Sequence, residues 1–436
     1  MKKIKKILVA NRGEIAVRII RTCKVLGIKT VAIYSSVDKD SYHVFLADES
    51  VCIGDEDIKT SYLNINNIIS AAINTKADAI HPGYGFLSED YEFAKKVEEN
   101  NIIFIGPSSR ILDGIKDKSL VKKKVKEMGI AVIEGQSYES FLKEPKLDFP
   151  LMIKSKHGGG GKGIRKVCSK DEFLKYEKII KEEVGNTFSK EELYIEKYID
   201  TFKHIEIQVI ADKYGNVSAL PERDCSCQRK YQKFIEESPS YGIDKKIIKS
   251  MQDDSIKIFK LLHYDNIGTV EFLLDKDLNY YFLEINARIQ VEHAVSEEVT
   301  NINLVKEQIS IADGNKNKYK PYIKAKKRAI ECRINAENPD NNFYPSVGVI
   351  NIFNVPMGDN LRVDTYMYQG YELKPHYDSL IYKVTVTGDT RKDVIKRLYN
   401  YLNEFIILGI DTNVEYLIDT IDSKEFKKGD YSFFVK

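Results

Sequence analysis

The sequence predicts a chain of α/β and α+β parts: an N-terminal doubly wound parallel sheet over residues 1–113, a central domain over 114–326, and a C-terminal α+β domain over 327–436. Three observations lead there. In the first part, short apolar runs alternate with stretches of helical periodicity, the pattern of βαβ units. In the middle, a strand leads into four consecutive glycines and a second strand, and a β-hairpin follows much later. Beyond Pro321 and the basic run 324–328, the β segments shorten and one capped helix follows. A length of 436 residues agrees with three domains at about 150 residues each.

Residues 7–11 read as an apolar strand. Residues 13–26 have helical periodicity through Ile15, Ile19, Ile20 and Cys23, with Gly27 as the stop. A strand at 30–34, a helix at 63–74, a strand at 77–81, a helix at 89–99 capped by Ser88, and a strand at 102–105 complete the first part. Ligands of open α/β sheets bind beyond the carboxyl ends of strands. The loop His81-Pro82-Gly83-Tyr84-Gly85-Phe86-Leu87-Ser88 is therefore a candidate wall of a site, although a glycine turn into a capped helix accounts for most of it equally well. In the middle, 149–154 and 164–167 are strands on either side of the glycines. Residues 194–199 form an apolar strand interrupted by Glu196-Lys197. His204, Glu206 and Gln208 share one face of a strand at 204–210; singly, each is more often surface than site. Residues 228–233 are a basic stretch suited to an anion, and 245–263 are helical. The last part has strands at 328–334, 348–353, 362–364 and 379–386. A helix capped by Thr390 then runs through Val394, Leu398 and Leu402.

Sixty-seven basic and 65 acidic residues leave a net charge of +2, which argues against general binding to nucleic acid or to a membrane surface. The basic start runs into only four apolar residues, Ile7 to Ala10, where a signal peptide needs about 7–15. No stretch approaches the roughly 18 apolar residues of a membrane span. The six cysteines are scattered, and Cys225-x-Cys227 lacks metal-finger spacing, so reduced thiols and a cytoplasmic location are expected.

The most informative stretch is 268–293. Two β-branched and apolar runs flank the turn residues 275–279. A hairpin centred between Asp277 and Leu278 sets Glu271 opposite Glu284, with Cβ atoms about 5 Å apart on one face. A bare pair of carboxylates repels, and a divalent cation with hard oxygen preference, Mg²⁺ or Mn²⁺, removes the repulsion. Glu284, Asn286, Arg288, Gln290 and Glu292 then alternate with Ile285, Ala287, Ile289 and Val291. One extended segment is expected to aim all five polar side chains at one place; the competing reading is an amphipathic edge strand with a solvated face.

Ser155-Lys156-His157-Gly158-Gly159-Gly160-Gly161-Lys162-Gly163 lets backbone N–H groups approach phosphate. Gly158, Gly160 and Gly163 match G-x-G-x-x-G, but a strand follows where a dinucleotide motif needs a helix. No G-x-x-x-x-G-K-[ST] is present either. What remains is a β–loop–β flap over a triphosphate. Arg333, with Glu331 and Glu337 near it, reads by default as a salt-bridge residue.

These stretches, with Asn11-Arg12-Gly13-Glu14-Ile15-Ala16 and Glu222-Arg223-Asp224-Cys225-Ser226, resemble in order, over nearly the whole chain, the biotin carboxylase component of biotin-dependent carboxylases, in the ATP-grasp superfamily. The resemblance implies an ATP-grasp central domain with a mobile lid at about 133–203. Lys118 and Lys154 would hold ATP phosphates, with Gly160 and Gly161 in the flap. Glu196, Lys197 and Ile199 would line the adenine site, His204 the ribose, and Gln228 and Tyr231 the nucleotide's surroundings. Glu271, Glu284 and Asn286 would bind Mg²⁺ or Mn²⁺. Lys233, Arg288, Gln290 and the Val291 backbone would take bicarbonate. Glu292 would be the general base, and Arg333, with Tyr84 close by, would face biotin. The implied partners are a separate biotin carboxyl carrier protein and carboxyltransferase subunits, as in acetyl-CoA carboxylase of fatty acid biosynthesis. A homodimer is implied too, with Arg18 and Arg21 toward its interface. No Met-Lys biotin acceptor stands near the C-terminus, which fits a stand-alone subunit. The sequence departs from the family at Tyr231 (usually histidine), Ala294 (usually proline), Lys156-His157 (usually small residues) and Lys162 (usually arginine). A second reading is another ATP-grasp ligase that passes an acyl phosphate to an amine. A third is an inactive nucleotide-binding partner. Glu292 together with Arg333 favours the first.

Overall fold

The computed structural model describes residues 3–155, 164–184 and 193–431. Five parallel strands lie in the spatial order Glu49–Gly54, Lys29–Ser35, Lys6–Val9, Ala79–His81, Ile103–Phe104. Helices cover both faces of such a sheet, so its central strand is apolar throughout: Ile7, Leu8 and Val9 have no exposed surface. The chain winds outward in one direction from Lys6–Val9 and then in the other from Ala79–His81. The crevice between these two strands is the topological switch point.

The first helix, Gly13–Val25, buries Ile15, Ile19, Ile20 and Cys23, and Gly27 follows it at φ +70°. The expected cap at Ser88 is wrong. The helix is Tyr91–Glu99, and Asp90 caps it by accepting from the Phe93 N–H at 2.7 Å. Ser88 is held in the preceding turn, where its N–H donates to the Gly85 carbonyl at 2.9 Å. Gly83 is required at its place: it has φ +65°, and a Cβ there would come within 2.9 Å of Asn11 Nδ2.

A four-stranded antiparallel sheet follows, in the order Gly135–Ser137, Leu193–Lys197, Leu151–Ser155, Ile164–Val167. It has a small core of its own, in which Tyr138, Phe141 and Phe173 pack on Leu151, Ile153, Val167, Leu193 and Ile195. The strand expected to reach Ile199 ends at Lys197.

An eight-stranded antiparallel sheet runs Tyr280–Asn286, Asn266–Asp275, Thr201–Ala211, Val217–Arg229, Gln232–Ser238, Arg328–Asn335, Leu380–Gly388, Leu361–Thr365. Its hydrogen bonding continues across residue 327, because Gln232–Ser238 pairs with Arg328–Asn335. One face of Thr201–Ala211 carries Ile205, Ile207 and Val209 into the core. The other carries Glu206 and Gln208, equally buried. The segment expected as one strand over 348–353 divides into Gly348–Val349, paired with Glu372–Leu373, and Ile352–Asn354, paired with Ile406–Leu408. The exchange of partners lies between: the Ile350 N–H donates to the Tyr371 carbonyl at 3.0 Å and the Asn351 N–H to the Leu408 carbonyl at 2.8 Å. Thr390 caps the helix Arg391–Asn403, which buries Val394, Leu398 and Leu402. Among the described residues, no helix is long and apolar enough to cross a membrane.

Candidate active site

The hairpin pairs Glu271 with Glu284, but not by the symmetric turn expected. Asp275 Oδ1 accepts from the N–H groups of Asp277 and Asn279 at 2.9 and 2.8 Å, and Leu278 takes φ +64°. This centres the turn on Asp277 and pairs Leu274 with Tyr280, Leu273 with Tyr281, and Phe272 with Phe282. A bulge at Leu283 then shifts the register by one residue and brings Glu284 opposite Glu271.

The expectation of a single extended segment through Glu292 is also corrected. The strand ends at Asn286, because the next N–H, that of Ala287, donates to Glu89 Oε1 at 2.8 Å instead of to a strand. Residues 287–292 form an irregular leg into the helix His293–Thr300, with Glu292 at its N-cap. The alternation does not persist in burial: Ala287 and Ile289 have no exposed surface, but Gln290 and Glu292 are buried as well, and Val291 is only partly so. Arg288 donates to Glu89 Oε2 and to Asn286 Oδ1, each at 3.0 Å.

Glu292, 2% exposed, is gripped from two sides. Lys233 Nζ reaches its Oε1 at 2.8 Å, and Arg333 reaches its Oε2 at 2.8 Å. Lys233 also contacts Glu206 at 2.8 Å and Glu271 at 3.0 Å, and Arg333 contacts Glu236 at 2.7 Å. Behind them Arg223, without exposed surface, donates to Glu206 and to Gln290 Oε1, both at 2.5 Å, while Gln290 Nε2 donates to Glu271 at 3.0 Å.

Burial alone would raise the Glu292 pKa. Lys233, Arg333 and Arg223 outweigh burial and the repulsion of Glu206, and hold it below the usual carboxylate range. Burial likewise opposes ionisation of Glu271, yet Lys233 and His204 depress it strongly. Glu206 falls to about 2, where Arg223 and Lys233 overcome burial.

On the adjoining wall, Glu196 lies between Lys122 and Lys154. Burial is outweighed there by Lys154 and Lys122, and the Glu196 pKa drops to about 2. Its side chain is thus committed to two lysines. Lys118 reaches Glu284 at 2.6 Å. His204 bridges Gln228 at 2.8 Å and Glu271 at 2.9 Å. Lys197 is exposed and Ile199 lies beyond the strand end. Tyr231, 38% exposed at φ +64°, occupies the turn after Val217–Arg229. Gly160 and Gly161, with Lys156, His157 and Lys162, lie outside the described residues.

Glu271, Glu284 and Asn286 supply two carboxylates and an amide oxygen at one end of the hairpin, with Asn286 Nδ2 2.9 Å from Glu271. This donor set fits a hard divalent cation. Ligand atoms of His204, Glu206 and Glu271 also lie within 4.8 Å of one another. Both sets already face cations: Glu206 accepts from Arg223 and Lys233, Glu271 from Lys233, Glu284 from Lys118 and the Asn286 oxygen from Arg288, so an ion at either would exchange with these donors.

Tyr84 lies at the switch point. Asn11 Nδ2 donates to the carbonyls of Pro82 and Tyr84, each at 2.7 Å, and the Tyr84 hydroxyl donates to Glu14. The Val291 carbonyl accepts from Lys383 at 2.7 Å. Sequence reasoning missed Glu14, Glu89, Lys122, Glu206, Arg223, Glu236 and Lys383 as members of this network. Only the polar face of 204–210 gave a local sign.

Known proteins match this arrangement along the chain. Residues 3–112 match the biotin carboxylase N-terminal domain, residues 117–319 the carbamoyl-phosphate synthase L chain ATP-binding domain, and residues 331–434 the biotin carboxylase C-terminal domain. Biotin carboxylase 1 of Bacillus subtilis is 46% identical over 437 residues, covering 98% of this chain and 97% of that protein. The biotin carboxylase domain dimer of Hydrogenobacter thermophilus 2-oxoglutarate carboxylase was solved with MgADP, ADP and bicarbonate. It superposes with a TM-score of 0.94 at 40% identity, covering 98% of this chain and 96% of that one. Campylobacter jejuni biotin carboxylase, in complex with β,γ-ATP, gives 0.93 at 40% identity, covering 98% and 97%. Identity and fold agree across all three parts of the sequence: the chain belongs to the biotin carboxylase family.

Proposed function

We propose that this chain performs the ATP-dependent carboxylation of biotin borne on a carrier protein, with bicarbonate as the carbon source. The observation that carries this is the placement of Glu292, an ionised carboxylate held between Lys233 and Arg333 beside the Glu271–Glu284–Asn286 oxygen set. Bound at that set, Mg²⁺ or Mn²⁺ supplies charge neutralisation of the phosphate oxygens.

Lys233, Arg288, Gln290 and the Val291 backbone orient bicarbonate, and Glu292 takes its proton as its oxygen attacks the γ-phosphorus. The bond to the ADP oxygen breaks, giving carboxyphosphate and ADP. Lys118 and Lys154 hold the phosphates, while Lys197, Ile199 and the backbone at Glu196 line the adenine. The Glu196 side chain serves Lys154 and Lys122. His204 takes the ribose, with Gln228 and Tyr231 beside the nucleotide. The lid at about 133–203, carried on the described strands Gly135–Ser137, Leu151–Ser155, Ile164–Val167 and Leu193–Lys197, closes over the triphosphate and excludes water from the labile carboxyphosphate. Carboxyphosphate splits into CO₂ and phosphate; the phosphate takes the biotin N1′ proton, and N1′ bonds to CO₂. Arg333 steadies the ureido oxygen, with Tyr84 close by.

The chain parts at 1–113, 114–326 and 327–436 act as three domains around this site. We assign it to the cytoplasm, as a homodimer serving a carboxyltransferase such as that of acetyl-CoA carboxylase. Arg21 is exposed for such an interface, whereas Arg18 is already paired with Glu297 at 2.8 Å. The test is ADP release by the purified chain. Release should require bicarbonate and a divalent cation and rise with free biotin, and isotopic bicarbonate should appear in carboxybiotin. Release stimulated by an amine but not by biotin would favour the alternative ligase, and ATP binding without bicarbonate-dependent release would favour the inactive partner.

A further inference from the structure

Lys383 has no exposed surface, and the reaction described above makes no use of it. Its Nζ donates to the Val291 carbonyl at 2.7 Å and pairs with Glu14 Oε1 at 3.2 Å. The Tyr84 hydroxyl donates to that same Glu14 oxygen. One ammonium thus ties together residues that lie far apart in the sequence: the start of the first helix, the loop at the switch point, and the leg that leads to Glu292. Glu14 is itself buried, its Oε2 has no hydrogen-bond partner among the described residues, and burial raises its pKa, with Lys383 the largest influence opposing that rise. Burial would discharge Lys383, but Glu14, Glu331 and Asp364 together keep it charged, against Arg362.

A peptide carbonyl and the following N–H lie in one rigid plane. Clamping the Val291 oxygen therefore fixes the plane from which Glu292 leaves the chain. Lys383 is also the direct cross-strand partner of Arg333, which holds the far end of Glu292. Neighbouring residues on adjacent strands thus fix the backbone and the carboxylate of one side chain.

We infer that Lys383, backed by Glu14, is a positioning residue. It sets the Val291–Glu292 peptide and locks it to the Tyr84 loop, so that the bicarbonate and biotin subsites keep one relative geometry. This rests on the proposed function, in which Val291 and Glu292 meet bicarbonate.

The experiment compares wild type, Lys383→Met, and the double variant Glu14→Gln/Lys383→Met. The readouts are steady-state kcat and KM for bicarbonate and for ATP, with thermal midpoints. A lost hydrogen bond from a charged group should lower kcat/KM for bicarbonate about tenfold or more in both variants. The KM for ATP should stay within about twofold, because Lys383 touches none of the groups assigned to the nucleotide. The double variant, which removes the Glu14 carboxylate together with its ammonium partner, should recover much of the thermal midpoint lost by Lys383→Met but none of the bicarbonate defect. Wild-type bicarbonate kinetics in the double variant, or equal losses for ATP and bicarbonate, would overturn the inference. If wild type itself releases no ADP in response to bicarbonate, the proposed function fails first and takes this inference with it.

Discussion

Replacing Glu292 with glutamine tests the chemistry with little disturbance of the packing. The amide has the same shape as the carboxylate, and neither cation around it is left alone. Lys233 keeps Glu206 and Glu271, and Arg333 keeps Glu236. What is lost is the capacity to accept a proton. A positioned general base contributes about 10²–10⁴ in rate. At about 1.4 kcal/mol per decade, Glu292→Gln should raise the barrier by about 3–5 kcal/mol. The assay is steady-state ADP release with and without bicarbonate, alongside calorimetric titration of ATP. The bicarbonate-dependent kcat should fall by that factor, with ATP affinity changed less than about threefold. In wild type the acid limb of the rate should lie below the ordinary glutamate range, because Lys233, Arg333 and Arg223 outweigh burial at this carboxylate. The same depression makes Glu292 stabilising above its unfolded pKa, a contribution lost as pH falls through the folded value. A glutamine variant that retains kcat within tenfold of wild type would show that bicarbonate loses its proton elsewhere.

Three further outcomes are expected. Glu271→Gln should raise the Mg²⁺ concentration for half-maximal rate about tenfold, since it halves the charge of the carboxylate pair; an unchanged metal titration would contradict the paired-carboxylate site. Asn11→Ala removes both 2.7 Å bonds that hold the Pro82 and Tyr84 carbonyls, so the KM for free biotin should rise more than that for ATP; equal shifts would count against a separate acceptor wall. Glu331 has its pKa raised to about 8, chiefly by burial and by Glu236 against Lys383, and Glu236 is raised to about 7 by burial and Glu292 against Arg333. A raised acid binds its proton more tightly folded than unfolded, so stability falls as pH climbs from about 4.5 toward 8. The wild-type thermal midpoint should drop over that range and Glu331→Gln should flatten the drop; equal slopes by calorimetry would refute the assignment.

Local pattern revealed the parts whose cause is local. The first helix was readable because its apolar spacing and its stop are all within the segment, and the switch-point crevice because alternating strands and helices permit few topologies. The pairing of Glu271 with Glu284 came out right although the turn that produces it was misplaced. No glycine marks the bulge at Leu283, and a one-residue error in the turn was offset by the bulge. Glu206 and Gln208 alternate on their strand as solvent-facing residues would. They are interior because the strand Asn266–Asp275 lays Glu271 beside Glu206, and Arg223 comes across from the other neighbour. Nothing within 204–210 encodes either neighbour. The same holds for Glu292, whose two cations come from separate strands, and for Lys383, whose partners at 14 and 291 share no segment with it. The residues that supply a reacting group can thus be found by type and spacing. Those that hold such a group in place are selected only by what the folded sheet brings next to it, so a sequence of this kind names its acids and bases more readily than the frame that aims them.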